Sequence, residues 1–309
     1  MANPEQRKPV ALIAGPTASG KTALALTLAQ RHDVTIINAD SAQVYSDLPI
    51  LSAQPSADEI ASAPHRLFGY LDGAESCSAA HWAQDAEAAI KEAHDNNRLP
   101  VLVGGTGLYL RTLLDGIAPI PKIDEETRRT IRMMTTADAA VALQHEDPDL
   151  AHRLAPTDDS RIKRGLEVIR STGRSIIHWR KEKTGGISGN VALHPLLLLP
   201  PREWLHIRCD VRFETMFKTG AVEEVVALRA RNMPLDAPVM RAIGVPEIAA
   251  MLAGSLSREE AIQRGQAATR QYAKRQFTWF RNQSDSAWPR WERELNGSNF
   301  NKIERLFQF

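Results

Sequence analysis

The stretch Val10-Ala11-Leu12-Ile13-Ala14-Gly15-Pro16-Thr17-Ala18-Ser19-Gly20-Lys21-Thr22-Ala23-Leu24-Ala25-Leu26 decides the fold of this chain. Its first four residues form an unbroken apolar run of the kind a strand buried on both faces makes, and the residues from Thr22 onward read as a helix. Between them Gly15 to Thr22 satisfies G-x-x-x-x-G-K-[ST] at every fixed position, so the glycines fall where the backbone must turn sharply. A loop of this kind gathers N–H donors at a helix N-terminus, whose partial positive charge favours a polyphosphate. Lys21 adds a point charge and Thr22 offers a hydroxyl to Mg²⁺. Gly15, Pro16, Thr17, Ala18, Ser19, Gly20, Lys21 and Thr22 are therefore the expected phosphate-binding residues, with Thr22 the expected metal ligand. The loop alone does not distinguish a nucleotide such as ATP from another diphosphate.

Working outward, 34–37 is a second β-branched run ending in Asn38-Ala39-Asp40-Ser41-Ala42-Gln43-Val44-Tyr45. A third, 100–103, ends in Gly104-Gly105-Thr106-Gly107-Leu108-Tyr109. Between them 78–97 carries Trp82, Ala86, Ala89, Ile90 and Ala93 at helical spacing, which makes strand–helix–strand the economical reading. The expected fold is α/β: a P-loop NTPase-like parallel sheet flanked by helices. Ligands of such a sheet bind beyond the carboxyl ends of the strands, so the phosphate loop, Asp40 and Thr106 should converge on one crevice. Strand signals stop near 121. Helical pieces follow at 124–134, 137–145 and 159–172, the last closed by Gly173. A Gly/Ser-rich connection at 183–190 then leads to a buried strand pattern at 191–199. The expected organisation is a core of 1–121, an all-helical insertion domain of 122–190, and a second core part of 191–309. The last part is read as helices at 201–219 with Gly220 as C-cap, at 222–231, and from 258 to about 282 behind a Ser257/Glu260 capping box.

The 309 residues carry a net charge of +1, with 43% hydrophobic and 24% charged residues, which describes an ordinary globular protein and excludes a disordered one. Cys77 and Cys209 lack metal-ligand spacing and are too few for a disulfide framework. They are expected as two buried thiols in a reducing compartment. Residues 1–9 have no apolar targeting segment, and the greasiest later stretch, 196–199, is too short to span a bilayer, so no membrane association and a cytoplasmic location are expected. Charge is unevenly spread. From 261 to 284 there is no acidic residue, while Arg264, Arg270, Lys274, Arg275 and Arg281 alternate with Tyr272, Phe277, Trp279 and Phe280. Cations neutralise phosphates and aromatic planes stack on unpaired bases, so the combination suits single-stranded RNA. The plainer alternative is an aromatic core stripe beneath a solvated basic face. Ser160-Arg161-Ile162-Lys163-Arg164-Gly165-Leu166-Glu167-Val168-Ile169-Arg170 repeats the theme, with Ile162, Leu166 and Ile169 free to bury one side. Arg128 could extend that surface. Arg129 and Arg132, near Glu125 and Glu126, are expected to serve ion pairs instead.

Taken together, the phosphate loop, Asp40-Ser41-Ala42-Gln43-Val44-Tyr45, Gly104-Gly105-Thr106-Gly107-Leu108-Tyr109 and Thr269-Arg270-Gln271-Tyr272-Ala273-Lys274-Arg275-Gln276-Phe277-Thr278-Trp279-Phe280-Arg281 closely resemble the tRNA dimethylallyltransferases. The likeness runs in order from Val10 to Arg281. It implies transfer of a dimethylallyl group from dimethylallyl diphosphate to N6 of adenosine 37, beside the tRNA anticodon, by a monomer that uses Mg²⁺. It also implies Asp40 as general base, a Walker-B-like Mg²⁺ ligand being the other role open to it, and Thr106 as a partner of the diphosphate or the amine. Arg212-Phe213-Glu214-Thr215-Met216 resembles a family segment whose arginine faces the pyrophosphate. The stretch from Ser160 to Arg164 resembles one that contacts tRNA. Asp40, Ser41, Ala42, Gln43 and Thr106 are the residues expected around the flipped adenine. Arg128, Ser160, Arg161, Ile162, Lys163, Arg164, Arg270 and Lys274 are those expected along the anticodon stem-loop.

Four positions depart from the family pattern. Gln54 stands where a lysine is usual and Gly165 where an alanine is usual, while Val245 and Pro246 replace an aromatic residue and a cation. These departures bear on tRNA affinity more than on the chemistry. Three other functions fit parts of the sequence: an adenylate isopentenyltransferase, a small-molecule kinase, and an RNA-binding module with a relict loop. The first two do not need the basic surfaces, and the third leaves Lys21, Thr22, Asp40 and Thr106 without a task.

Overall fold

The apolar runs become neighbouring strands in the computed structural model, which describes residues 7–307 except for the side chain of Ser298. Residues 1–6, part of the stretch read as lacking a targeting segment, lie outside the described residues. Six parallel strands form one sheet: β1 (Lys8–Ala14), β2 (Val34–Asn38), β3 (His65–Arg66), β4 (Leu99–Gly104), β5 (Val191–Leu198) and β6 (Arg290–Trp291), in the order β3-β2-β4-β1-β5-β6. Val10, Ala11, Leu12 and Ile13 are fully buried. A strand in the middle of a parallel sheet is covered on both faces, and this is why its sequence is a run and not an alternation.

Register brings the loops together. Ala14 pairs with Gly104 and with Leu197, and Asn38 pairs with Val103, so the chain leaves β1, β2 and β4 at one level. The phosphate loop, Asp40 and Thr106 follow at that edge. Gly104 is required there: a Cβ on it would lie 2.1 Å from the carbonyl carbon and oxygen of Ala39, which are backbone and cannot rotate away.

Two helices close this edge. Arg202–Lys218 and Arg258–Gln283 pack along each other, and Gly265 permits the approach, since a Cβ there would stand 2.0 Å from the Phe213 ring. Ser257 and Glu260 form the expected capping box of the second helix. Gly220 differs from its expected part. Thr219 caps the helix Arg202–Lys218, and Gly220, at φ +121°, is the N-cap of Ala221–Ala230. β3, β6 and the short helix Ala57–Ser62 are additions to the elements read from the sequence.

The chain divides into two compact units, one of them Leu114–Gly186. This unit starts and ends earlier than the 122–190 read from composition. Its neck is closed by reciprocal backbone bonds between Ile117 and Thr184, 3.0 and 2.9 Å long, and by the Lys183–Asp115 ion pair at 3.1 Å. Its helices Glu125–Met133, Thr136–Glu146 and Asp159–Thr172 surround a core of Ile131, Leu143, Leu150, Ile162 and Leu166. The departure at Gly165 has a packing reason within this unit: a Cβ there would come 2.5 Å from Leu150 Cδ2 and 3.1 Å from Leu143 Cδ1.

Candidate active site

The phosphate loop is shaped for an anion. Gly20, at φ +97°, is the N-cap of the helix Lys21–Ala29 and supplies no side-chain cap, which leaves the orphan N–H groups of the first turn for a ligand. Ala18 holds φ +61° without being glycine, and Gly15 faces Leu198 O so closely that a Cβ would lie 2.4 Å from it. Ser19 is buried and its hydroxyl has no hydrogen-bond partner among the described residues. Lys21 Nζ donates to Gly15 O at 3.0 Å and Pro16 O at 2.7 Å. Burial, aided by the charge of Arg212, lowers its pKa to about 8 against the opposing pull of Asp40.

Two arginines one helical turn apart meet this loop from the helix Arg202–Lys218. Arg212 donates from Nη1 to Thr17 Oγ1 at 3.3 Å, as the side chain expected at the pyrophosphate. Arg208 donates from Nε to Ala18 O at 2.9 Å and lies over the Trp204 ring, 4.6 Å from its centroid. Arg208 was not singled out from sequence, although its spacing of four from Arg212 puts both on one helix face. Burial also lowers the pKa of Arg212, and the nearby Asp40 carboxylate counters this. Lys21, Arg212 and Asp40 thus form one cluster of two cations and one anion.

Asp40 is held by its own loop. Its N–H donates to Asn38 Oδ1 at 2.8 Å, Asn38 Nδ2 returns a bond to Asp40 O at 3.0 Å, and Ala42 N–H donates to Asp40 Oδ1 at 3.0 Å. Among the described residues nothing hydrogen-bonds the other carboxylate oxygen. Thr106 Oγ1 accepts from Ser41 N–H at 2.9 Å and donates to Ser41 Oγ at 3.2 Å, so the structure uses this hydroxyl to fasten the Asp40 loop. The Tyr272 hydroxyl lies beside Thr106 and Ser41, and its pKa is pushed up, chiefly by burial and next by the Asp40 charge. The NH₂ of Gln43, expected at the base edge, donates instead to Ser52 O at 3.0 Å and Ala53 O at 2.6 Å.

A cavity of about 550 Å³ opens beside these groups, with Thr17, Asp40, Ser41 and Arg212 at its polar side and Leu48, Leu51, Phe213, Met216 and Val239 among its apolar walls. A smaller cleft of about 50 Å³, shared by Thr17, Lys21, Thr22, Asp40 and Arg212, continues it to the loop. Carboxylate, cations and apolar space adjoin. The cavity wall includes Cys77, which is half-buried and not the buried thiol expected, because it sits in an exposed loop ahead of the helix Ala79–Asp95. Cys209 is buried as expected, and burial pushes its thiol up to about 11.

The basic residues are placed as follows. In the unit Leu114–Gly186, Arg128 pairs with Glu125 at 3.9 Å, Arg161 with Asp158 at 3.2 Å, Lys163 with Asp159 at 2.9 Å and Arg164 with Glu167 at 3.2 Å. Arg132 also reaches Glu167, at 3.8 Å, in keeping with an ion-pair role. Ser160 is exposed at the start of this helix and Ile162 is in the core. In the helix Arg258–Gln283, Arg270 pairs with Asp210, whereas Lys274 is exposed and pairs with no carboxylate among the described residues. Phe280 is fully buried and Phe277 packs on a buried cluster, so part of the aromatic stripe is core. The other departures are also explained. Gln54 Nε2 donates to Tyr45 O at 2.7 Å, Val245 is buried, and Pro246 lies in the first turn of the helix Val245–Leu252, where no N–H is needed.

A parallel sheet with a phosphate loop, a carboxylate and a cationic clamp around one apolar cavity defines a P-loop group-transfer enzyme. The sequence model of the IPP transferase family matches residues 43–283. The tRNA dimethylallyltransferase of Sphingopyxis alaskensis is 58% identical over 91% of this chain and 92% of its own. That of Erythrobacter litoralis is 56% identical over 98% and 95%. The crystal structure of the tRNA isopentenylpyrophosphate transferase of Bacillus halodurans superposes with TM-score 0.69 at 30% identity, over 98% of this chain and 97% of that one. A eukaryotic dimethylallyltransferase acting on tRNA superposes with TM-score 0.77 at 30% identity, over 88% and 70%. The chain belongs to the IPP transferase family.

Proposed function

We propose that this chain is a tRNA dimethylallyltransferase that moves the dimethylallyl group of dimethylallyl diphosphate to N6 of adenosine 37. The observation that carries the reading is the adjoining of Asp40, the phosphate loop and an apolar cavity at one sheet edge. The diphosphate lies on the uncapped N–H groups at the start of the helix Lys21–Ala29, between Lys21 and Arg212, and the five-carbon chain lies against the apolar wall. N6 attacks C1, the C1–O bond breaks, diphosphate leaves with the electron pair, and the N6 proton passes to Asp40. Lys21 and Arg212 stabilise the charge that grows on the leaving oxygens, in a site whose dipoles are already oriented. Thr106 acts by fixing the Asp40 loop through its two bonds to Ser41.

Mg²⁺ fits the donor set. No group of three His, Cys, Asp or Glu side chains capable of holding a metal occurs among the described residues, but Thr22 offers a hard hydroxyl oxygen at the loop's end. An ion held by Thr22 and by phosphate oxygens with its remaining waters matches the habit of Mg²⁺. When bound it supplies charge neutralisation on the diphosphate.

The acceptor is the anticodon stem-loop of tRNA, with adenosine 37 drawn out of its stack at a cost of about a few kcal/mol that the basic surfaces offset. In this reading the enzyme works as a monomer in the cytoplasm. No helix among the described residues is long and apolar enough to cross a membrane. The test is transfer of label from dimethylallyl diphosphate with Mg²⁺ to unmodified tRNA or to AMP. Label in tRNA supports the reading, and label only in AMP replaces it with the free-nucleotide reaction.

A further inference from the structure

The two halves of the site are joined by one side chain that belongs to neither. Gln276, 5% exposed, lies on the helix Arg258–Gln283. Its Oε1 accepts the N–H of Thr17 at 2.7 Å, and its Nε2 donates to Gly105 O at 2.9 Å. Thr17 is the phosphate-loop residue whose hydroxyl receives Arg212. Gly105 precedes Thr106, whose hydroxyl receives Ser41 N–H and so fixes the loop of Asp40. A single planar amide therefore spans from the loop that holds the leaving group to the loop that holds the base. Gly105 is fitted to this contact, since a Cβ on it would lie 2.2 Å from Gln276 Nε2. One turn earlier on the same helix face, Tyr272 meets Thr106 and Ser41.

We infer that Gln276 is a positioning residue, setting the distance between the departing diphosphate and the carboxylate that takes the N6 proton. Both ends of its amide are engaged by backbone groups of the protein. The Thr17 N–H it engages would otherwise be free to turn toward the phosphates and draw the loop with it. Both bonds are buried or partly buried, so losing either leaves an unsatisfied backbone group that only a loop shift can relieve. A shift of about 1 Å between reacting groups costs about 100-fold in rate while leaving each substrate's own contacts intact. The effect should therefore appear in kcat and not in affinity.

The inference rests on the dimethylallyl-transfer reading, and the test separates the two. Gln276→Leu keeps the volume and removes both bonds. It should lower kcat at saturating dimethylallyl diphosphate and tRNA by about 10- to 100-fold, with tRNA affinity within about twofold of the parent. Gln276→Glu gives a signature that mere packing would not. Its carboxylate accepts from Thr17 but repels Gly105 O, whereas its protonated acid accepts from one and donates to the other. The ratio of variant to parent kcat should climb as the pH falls through the titration of the introduced carboxyl, which burial raises above the ordinary Glu range. A Leu variant with parental kcat, or one whose loss lies wholly in tRNA affinity, overturns the inference. A ratio flat in pH for the Glu variant overturns it whether or not the Leu variant folds. A parent that transfers no label to tRNA overturns the reading and the inference together.

Discussion

Raising the pH through 8 should weaken capture of the prenyl donor while making the protein more stable, and Lys21 is the reason for both. Burial, and after it the charge of Arg212, lowers its pKa from 10.5 to about 8, with Asp40 opposing. The ammonium is the form that binds diphosphate. About half of the protein carries it at pH 8 and about one tenth at pH 9, so kcat/KM for the donor should fall about tenfold per pH unit above 8. Stability should move the other way. Between about 8 and 10.5 the unfolded chain holds the Lys21 proton and the folded chain does not, so unfolding free energy rises with pH across that window. The cost of a buried cation is present below 8 and is relieved above it. Initial rates at low donor and saturating tRNA from pH 6.5 to 9.5, for the parent and Lys21→Met, measure this directly. The Met variant should be slower throughout and lack the alkaline limb. A parent profile flat to pH 9.5, or a limb that persists without Lys21, would refute the assignment.

Further outcomes follow from the same geometry. Asp40→Ala should lower kcat by about 10²–10⁴-fold with little change in tRNA affinity, read from single-turnover rates and filter binding; lost affinity with normal turnover would remove its role as base. Gly104→Ala puts a Cβ 2.1 Å from the Ala39 backbone and should cost about 1–3 kcal/mol of stability, a melting point unchanged within about 1 °C being the contrary result. Neutralising Lys274 should flatten the log–log salt dependence of tRNA affinity by about 0.7–0.9, the release expected for one phosphate contact. Arg270→Ala should do less because Asp210 already pairs with it, and slopes equal to the parent's for both variants would assign these residues to structure.

The core of the site was readable because its signals are local. The apolar run into Gly15, the β-branched run into Asp40 and the run into Gly104 each carry their own turn, and the parallel register then converges them. Helix 258–283 was readable for the same reason, from Ser257 and Glu260 three residues apart. Other parts depend on distant partners. β6 is two residues, Arg290 and Trp291, which become a strand only because Leu197 and Leu198 lie beside them. Gly220 stands between two helices, and only the backbone decides which one it caps. Gln276 meets Thr17 across 259 residues, and nothing in its own surroundings marks a polar link within an aromatic stripe. The pairing of Arg270 with Asp210 was hidden in the same way, because the acid belongs to another helix.

The central claim, that this fold delivers a dimethylallyl group to one tRNA adenine, is tested most directly by nucleoside analysis of modified RNA. Unmodified tRNA and a copy with adenosine 37 replaced by guanosine are incubated with the protein, dimethylallyl diphosphate and Mg²⁺, then digested and read by mass spectrometry. The account predicts one N6-dimethylallyladenosine per native tRNA and none in the replaced copy. Equal product in both RNAs, or product only when AMP is supplied, would contradict it.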